Sequence, residues 1–331
     1  MIISKTPYRI SFFGGGSDYP IWYKKHGGLV ISTTINKYIY ISCRNLPPFF
    51  SHKYRIVWSH LETVKDINHI KHKAVREMLK YFKIKNGLEV HYDGDLPARS
   101  GMGSSSVFVV GLMNLLYNFK GNNIDKKSLA KKSIFFEQNI LREIVGSQDQ
   151  VAASYGGFNK IVFKKNGDFN VNKIILKNKT SERLNKNLLL IYTGFKRTAQ
   201  NIAKNYVNQL QKTKKNHIIE LANFAKEGEK LLKSGNIDDF GRLMHESWLE
   251  KKSLSNSITN TNIDYIYNTA IKRGALGGKL LGAGGGGFFL FYAPHNKHNY
   301  IKKHLSKLIS IPFKFSSEGS KIMFKNIKGN I

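Results

Sequence analysis

Asp95-Leu-Pro-Ala-Arg-Ser-Gly-Met-Gly-Ser-Ser-Ser106, followed at once by the apolar run Val107-Phe-Val-Val-Gly-Leu-Met-Asn-Leu-Leu-Tyr-Asn-Phe119, is the stretch that decides how this chain is read. Glycines at 101 and 103 let the backbone turn tightly and approach a ligand closely. A helix opening near Ser104 then presents unpaired backbone N–H groups and a partial positive charge to the space in front of it, which suits an anion and phosphate above all. The hydroxyls of Ser104, Ser105 and Ser106 can cap that helix, meet phosphate oxygens or reach a metal. From these residues alone, a serine-capped helix after a glycine turn is the plainer alternative. No GxxxxGK[ST] loop occurs anywhere in the chain.

Two more glycine-rich segments flank this one. Near the N-terminus, Pro7-Tyr-Arg-Ile-Ser-Phe-Phe-Gly-Gly-Gly-Ser-Asp18-Tyr19 runs a short strand into three glycines and an acid. That loop can set Asp18 against a polyol with Arg9 pointing into the same cleft, or it can be a capped hairpin turn. Near the C-terminus, Lys279-Leu-Leu-Gly-Ala-Gly-Gly-Gly-Gly-Phe288 places a glycine loop between two strands. A turn needs only one or two glycines, so close packing on another backbone or on a ligand is favoured. In Gly146-Ser-Gln-Asp149, a carboxylate follows a glycine break, and Glu137 lies on the preceding helix. Taken singly, each acid reads as a solvated surface group sooner than as a site residue.

Composition bounds the class. The 331 residues are 41% hydrophobic with 21 Phe and 16 Tyr, enough for a sizeable core, which excludes a disordered or collagen-like chain. The apolar run to Phe119 is broken by Gly111, Asn114 and Asn118 and falls short of the roughly 20 residues of a membrane span. The start MIISKTPYRI does not read as a signal peptide, and the single Cys43 excludes an internal disulfide and a cysteine-based zinc site. A cytoplasmic protein with no membrane partner is the expectation. Lys+Arg 53 against Asp+Glu 22 gives a net +31, which a nucleic-acid binder would explain. The lysines are spread over most segments, however, so a general compositional bias, with an anionic small-molecule substrate as an added cause, is the preferred account and no nucleic-acid partner is expected.

No repeat and no Gly/Ser or Pro linker divides the chain. Strands are expected at 29–42, 54–58, 88–92, 188–192, 278–281, 287–292 and 311–315. Helices are expected at 68–82, 104–119, 125–142, 147–155, 198–233, 237–251, 262–273 and 298–308, with 166–186 polar and turn-rich. Strands and helices without strict alternation imply an α+β protein of two domains, 1–186 and 187–331.

The three segments in this order, PYRxxFxGGxxDY, PxxxGMGSSS before a helix and GAGGGG near the C-terminus, resemble the GHMP small-molecule kinases over the whole chain. Within that superfamily, PYRISFFGGGSDYP, FEQ…GSQDQVAASYGGF and LLLIYTGFKRTAQ look most like the bacterial D-glycero-D-manno-heptose 7-phosphate kinases, with fucokinase domains as near relatives. Met102 stands where leucine is usual, a volume-conserving change, and Arg99 stands where the family more often has small or neutral residues.

The resemblance implies an N-terminal domain like ribosomal protein S5 domain 2, a ferredoxin-like C-terminal domain and an active site between them. It implies ATP held by Pro97, Gly101, Met102, Gly103, Ser104, Ser105 and Ser106, with Mg²⁺ on Ser105 and Glu137. Asp149 would take or orient the acceptor proton, and Arg9 would lie beside it. Gly15, Gly16, Ser17, Asp18, Tyr19, Gly284 and Gly285 would hold the sugar. Arg197, then Lys196 and Arg99, would meet the distal phosphate of a sugar-phosphate acceptor. The implied reaction is phosphorylation of the anomeric hydroxyl of a heptose 7-phosphate to the 1,7-bisphosphate, on a route to capsule or lipopolysaccharide. Alternatives are a fucokinase- or galactokinase-like enzyme, a diphosphomevalonate decarboxylase, and a basic nucleic-acid-binding protein. A homodimer is left open.

Overall fold

The computed structural model describes residues 1–195, 203 and 207–326. Two sheets organise it, and the elements that bound the site are these. Strand β1 (Ile2–Phe13) pairs antiparallel with the long β2 (Gly28–Asn45), from Ile2 opposite Cys43 to Phe13 opposite Ile31. The register shifts between Pro7 and Arg9, where the proline can donate no ladder bond. The second half of β1 is buried throughout, because helices cover both faces of the sheet there. Beyond β2 the sheet continues through β5 (Leu88–Gly94), which pairs in parallel with β3 (Tyr54–Val57), and then through β4 (Leu61–Val64). Strands β6 (Phe158–Phe163) and β7 (Phe169–Lys173) extend it from the other half of β2.

Five helices of the N-terminal half bear on the argument. Short α1 (Pro20–His26) leaves the first glycine loop, and α2 (Lys73–Tyr81) lies between β4 and β5. Helix α3 (Ser104–Phe119) packs on β1 and β2 and is apolar on nearly every side, as an enclosed helix must be. Helix α4 (Lys126–Phe135), capped by Asp125 through a hydrogen bond from Ser128 N at 3.0 Å, runs into a π-helical turn at Phe136–Ile140. Helix α5 (Gln148–Tyr155) carries Asp149 in its first turn.

After α6 (Asn178–Asn187) the chain builds the second sheet. Its order is strand β8 (Leu188–Tyr192), helices α7 (Lys215–Ser234), α8 (Ile237–Lys252) and α9 (Thr261–Lys272), strands β9 (Gly277–Leu280) and β10 (Phe288–Tyr292), helix α10 (His298–His304) and strand β11 (Ile309–Ile311). The spatial order β11-β8-β10-β9, all antiparallel, is the ferredoxin-like arrangement. Phe240 of α8 joins the halves by packing edge-on to Phe12 and Phe13 of β1, with ring centroids 5.2 and 5.0 Å apart.

The α+β class is as expected, and several elements differ from the sequence reading. The polar stretch 166–186 holds β7 and α6, because α6 buries only Leu184 and so reads as solvated. Of the helix expected at 198–233, the described residues show Ala203 helical, a 3₁₀ turn at Val207–Gln209 and a helix at Lys215–Ser234. The strand expected at 311–315 is two pieces in different sheets: β11, and β12 (Phe315–Ser316) on β2. A last strand, β13 (Lys321–Lys325), pairs with β1. A division at 186/187 stays a proposal, and it has to accommodate this return of residues 315–325 to the first sheet. Among the described residues no helix is long and apolar enough to cross a membrane.

Candidate active site

A cleft of about 430 Å³ opens between the two sheets. Its walls come from β1 (Arg9, Ser11), the first glycine loop, the loop leading into α3, residues 143–149, and, on the opposite side, Lys251, Lys279 and the loop after β9. A more open hollow of about 610 Å³ lies beside Asn260 and Tyr265. Its only carboxylate, Asp264, is already paired with Lys252 at 2.7 Å, which leaves it without a set of groups for chemistry.

The centre of the cleft is an ion pair. Arg9, 3% exposed, donates from Nε to Asp149 Oδ1 at 2.7 Å and from Nη2 to Oδ2 at 2.6 Å, and from Nη1 to the carbonyl of Gly101 at 2.8 Å. One guanidinium thus ties the catalytic candidate on α5 to the glycine turn before α3. The turn itself packs backbone on backbone with the C-terminal glycine loop. A Cβ at Gly282 would lie 2.6 Å from Gly101 Cα, and φ at Gly282 is +73°. This is the close approach expected for the third glycine segment.

Asp18 is buried beside this pair. Its carboxylate accepts from Gly16 N at 3.0 Å and Gln148 N at 3.3 Å, so it staples the first glycine loop to the start of α5. Burial, and next the charge of Asp149, push its carboxyl up to about 6, against the pull of those two N–H groups. Gly146 must be glycine here, since a Cβ would meet Asp18 Oδ2 at 1.9 Å.

Glu137, in the π-helical turn, is fully buried behind Ser106. It accepts from Ser106 Oγ at 3.1 Å and from the Gln150 amide. Burial drives its carboxyl up to about 8. Among the described residues, the buried Gln150 Oε1, Ser11 Oγ, Ser100 Oγ and Gln148 Oε1 have no hydrogen-bond partner. A buried acid with an unmatched amide oxygen on its hydrogen-bond partner Gln150 suits a hard cation with its ligands.

Of the residues singled out from the sequence, Arg9, Gly15, Gly16, Asp18, Tyr19, Arg99, Gly101, Gly103, Ser104, Ser105, Ser106, Asp149 and Gly284 line the cleft. Glu137 and three others shape it from behind. Ser17 Oγ donates to Gly14 O at 2.8 Å, Met102 is in the core, and Gly285 N–H is bonded to Ile258 O at 2.7 Å. Pro97 lies off the lining, and Lys196 and Arg197 lie outside the described residues. Lys251, Lys279, Ser11 and Gln148 are cleft residues that the sequence reading missed.

Comparison with known proteins gives the family. Residues 68–157 match the GHMP kinases N terminal domain, and residues 229–307 match the GHMP kinases C terminal family. A D-glycero-alpha-D-manno-heptose 7-phosphate kinase of Campylobacter jejuni is 30% identical over 97% of this chain and 98% of its own. The chain belongs to the GHMP kinases. The family and the heptose 7-phosphate kinase relative together make it a sugar kinase, transferring phosphate to a hydroxyl group. A galactokinase of Thermotoga maritima is 22% identical over 91% of this chain and 92% of its own. Among solved structures, a D-glycero-D-manno-heptose 1-phosphate kinase of Bacteroides thetaiotaomicron superposes with a TM-score of 0.81 at 22% identity, covering 99% of this chain and all of that one. A sugar kinase of C. jejuni, described as putative, superposes at 0.74 with 26% identity over 97% of each chain.

Proposed function

We propose that this GHMP kinase uses ATP to phosphorylate the anomeric hydroxyl of D-glycero-D-manno-heptose 7-phosphate, giving the 1,7-bisphosphate. The observation that carries the kinase chemistry is the Arg9–Asp149 pair set at the N-terminus of α3, an acid and a cation beside an anion-binding helix start. The full-length relative acting on heptose 7-phosphate supports the acceptor.

Phosphoryl transfer is mostly positioning and charge neutralisation. In this reading Asp149 takes the proton that the acceptor hydroxyl loses as its oxygen gains the phosphoryl group. Arg9 keeps the carboxylate oriented and faces the same centre with positive charge. The backbone of Gly101 and Gly103 and the hydroxyls of Ser104, Ser105 and Ser106 hold the donor phosphates. Ser105 and Glu137 would hold Mg²⁺, which when bound screens phosphate charge. Among the described residues no three His, Cys, Asp or Glu side chains cluster as a metal site, so most ligands of such an ion would be phosphate and water oxygens. Asp18 and the loop of Gly15 and Gly16 would receive sugar hydroxyls, with Ser17 fixing that loop and Tyr19 and Gly284 also lining the cleft.

The test is ADP release with Mg·ATP across heptose 7-phosphate, fucose, galactose, mannose, mevalonate and homoserine. Turnover with the heptose phosphate alone upholds the assignment. Turnover with an unphosphorylated sugar keeps the kinase and discards this acceptor.

A further inference from the structure

Two lysines face the cleft from the C-terminal half, and neither has an acid to balance it. Lys251, in the last turn of α8, donates from Nζ to the carbonyls of Leu280 at 2.8 Å and Gly282 at 2.6 Å. Lys279 on β9 is 5% exposed and donates to the carbonyl of Phe12 on β1 at 2.6 Å. Among the described residues neither forms an ion pair: Asp149 is held by Arg9, and Asp264 by the neighbouring Lys252.

Carbonyl partners satisfy the hydrogen bonds of an ammonium without cancelling its charge. Burial, and then the Arg9 guanidinium, accordingly bring Lys279 down to about 7. Lys251 is lowered well below the usual lysine range by burial first, then by Lys279 and Arg9. The two lysines thus face Arg9, Asp149 and Asp18 across the cleft, and an anion arriving between them would favour their protonated forms. A lysine ammonium has three N–H donors, and Lys251 uses one on the end of β9 and one on the glycine loop, leaving one for the cleft. On a helix surface such a lysine would simply be solvated; here the charge is held in place by the loop that closes over Gly101.

We infer that Lys251, backed by Lys279, is a phosphate-binding position of this cleft, separate from the helix start at Ser104. It takes a dianionic phosphate monoester, for which two adjoining ammonium groups are the matching charge. The inference rests on the kinase reading and deepens it. The phosphate has two sources, the acceptor's own ester or the group in transfer, and the experiment separates them.

The probe is inorganic phosphate, titrated against thermal unfolding of the wild type, Lys251→Met and Lys251→Arg. Methionine keeps the stem without the charge, and arginine keeps the charge. Phosphate should raise the melting temperature of the wild type, with at least tenfold weaker half-saturation in Lys251→Met and partial recovery in Lys251→Arg. Michaelis constants then assign the source. A tenfold or greater rise for heptose 7-phosphate with that for ATP within twofold places the acceptor's ester on Lys251; the reverse places the transferring group there. A merely structural role would lower the melting temperature of Lys251→Met while leaving the phosphate titration unchanged, and that result overturns the inference, as does a wild type that phosphate fails to stabilise. If Lys251→Met does not fold, Lys279→Met gives the same comparison. Because the phosphate titration needs no acceptor, it stands even if heptose 7-phosphate proves not to be the substrate.

Discussion

Arg9 and Asp149, 140 residues apart in sequence, meet through two parallel hydrogen bonds of 2.7 and 2.6 Å, and the same guanidinium reaches Gly101 O at 2.8 Å. The pair holds three segments in one geometry: the bulged strand β1, the glycine turn and the first turn of α5. A lysine at position 9 could supply the charge but not the planar fork. Arg9→Lys should therefore lower kcat by about 100-fold, of the order seen when one transition-state donor is removed. A kcat within threefold of wild type would show that the fork is dispensable.

Asp149→Asn should lower turnover by about 10²- to 10⁴-fold, the span associated with a positioned general base. ATP affinity, measured by titration in the absence of acceptor, should change less than threefold. Wild-type turnover would remove Asp149 from the role of base.

Asp18 should make stability depend on pH in the unusual direction. Its folded carboxyl sits at about 6, above the ordinary 3.8, so the folded state holds the proton more tightly than the unfolded chain does. Its contribution is most favourable below about pH 4 and is lost as pH rises through 6. The unfolding free energy of wild type relative to Asp18→Asn should fall by about 3 kcal/mol over that window, since a tenfold difference in proton affinity corresponds to about 1.4 kcal/mol. Denaturant titrations at pH 4, 5, 6 and 7 measure it; a flat difference would rule the elevated value out.

Glu137→Gln should separate stability from activity. The buried carboxyl is raised from 4.5 to about 8, so its ionisation weakens the fold progressively as pH rises between those values. The glutamine variant should match or exceed wild type in melting temperature at pH 9 without nucleotide, yet lose activity by about 100-fold or more. Equal activity would mean that no cation depends on this side chain.

Gly282→Ala puts a Cβ within 2.6 Å of Gly101 Cα at a φ of +73°. Both glycine loops must shift, at a cost of about 1–3 kcal/mol. A lower melting temperature together with a higher Michaelis constant for ATP is the expected pair of effects, and the second distinguishes damage to the phosphate loop from general destabilisation.

Much of the site was legible because glycine and proline leave local marks. Gly101, Gly103 and the serines before an apolar helix left an anion site as one of two open readings, and Arg9, Asp18 and Asp149 were singled out through the motifs around them. Lys251 and Lys279 were invisible for an equally physical reason. Lys251 sits in Leu-Glu-Lys-Lys at a helix end, where a cation is ordinarily solvated and favoured by the helix dipole. Nothing local says that this turn is roofed by Gly282.

The order of the three glycine segments and the FEQ…GSQDQVAASYGGF stretch were enough to determine the family, the α+β class and the chemistry, since turns, helix starts and apolar periods are properties of neighbouring residues. Tertiary structure alone decided the rest. It set Arg9 on Asp149, closed Glu137 behind Ser106 and Gln150, turned two lysines inward without acids, and brought Lys321–Lys325 back to β1. Charge and burial at those positions come from groups about 10 to over 300 residues away, and a side chain's hydration, unlike its backbone preference, belongs to whatever the fold packs against it.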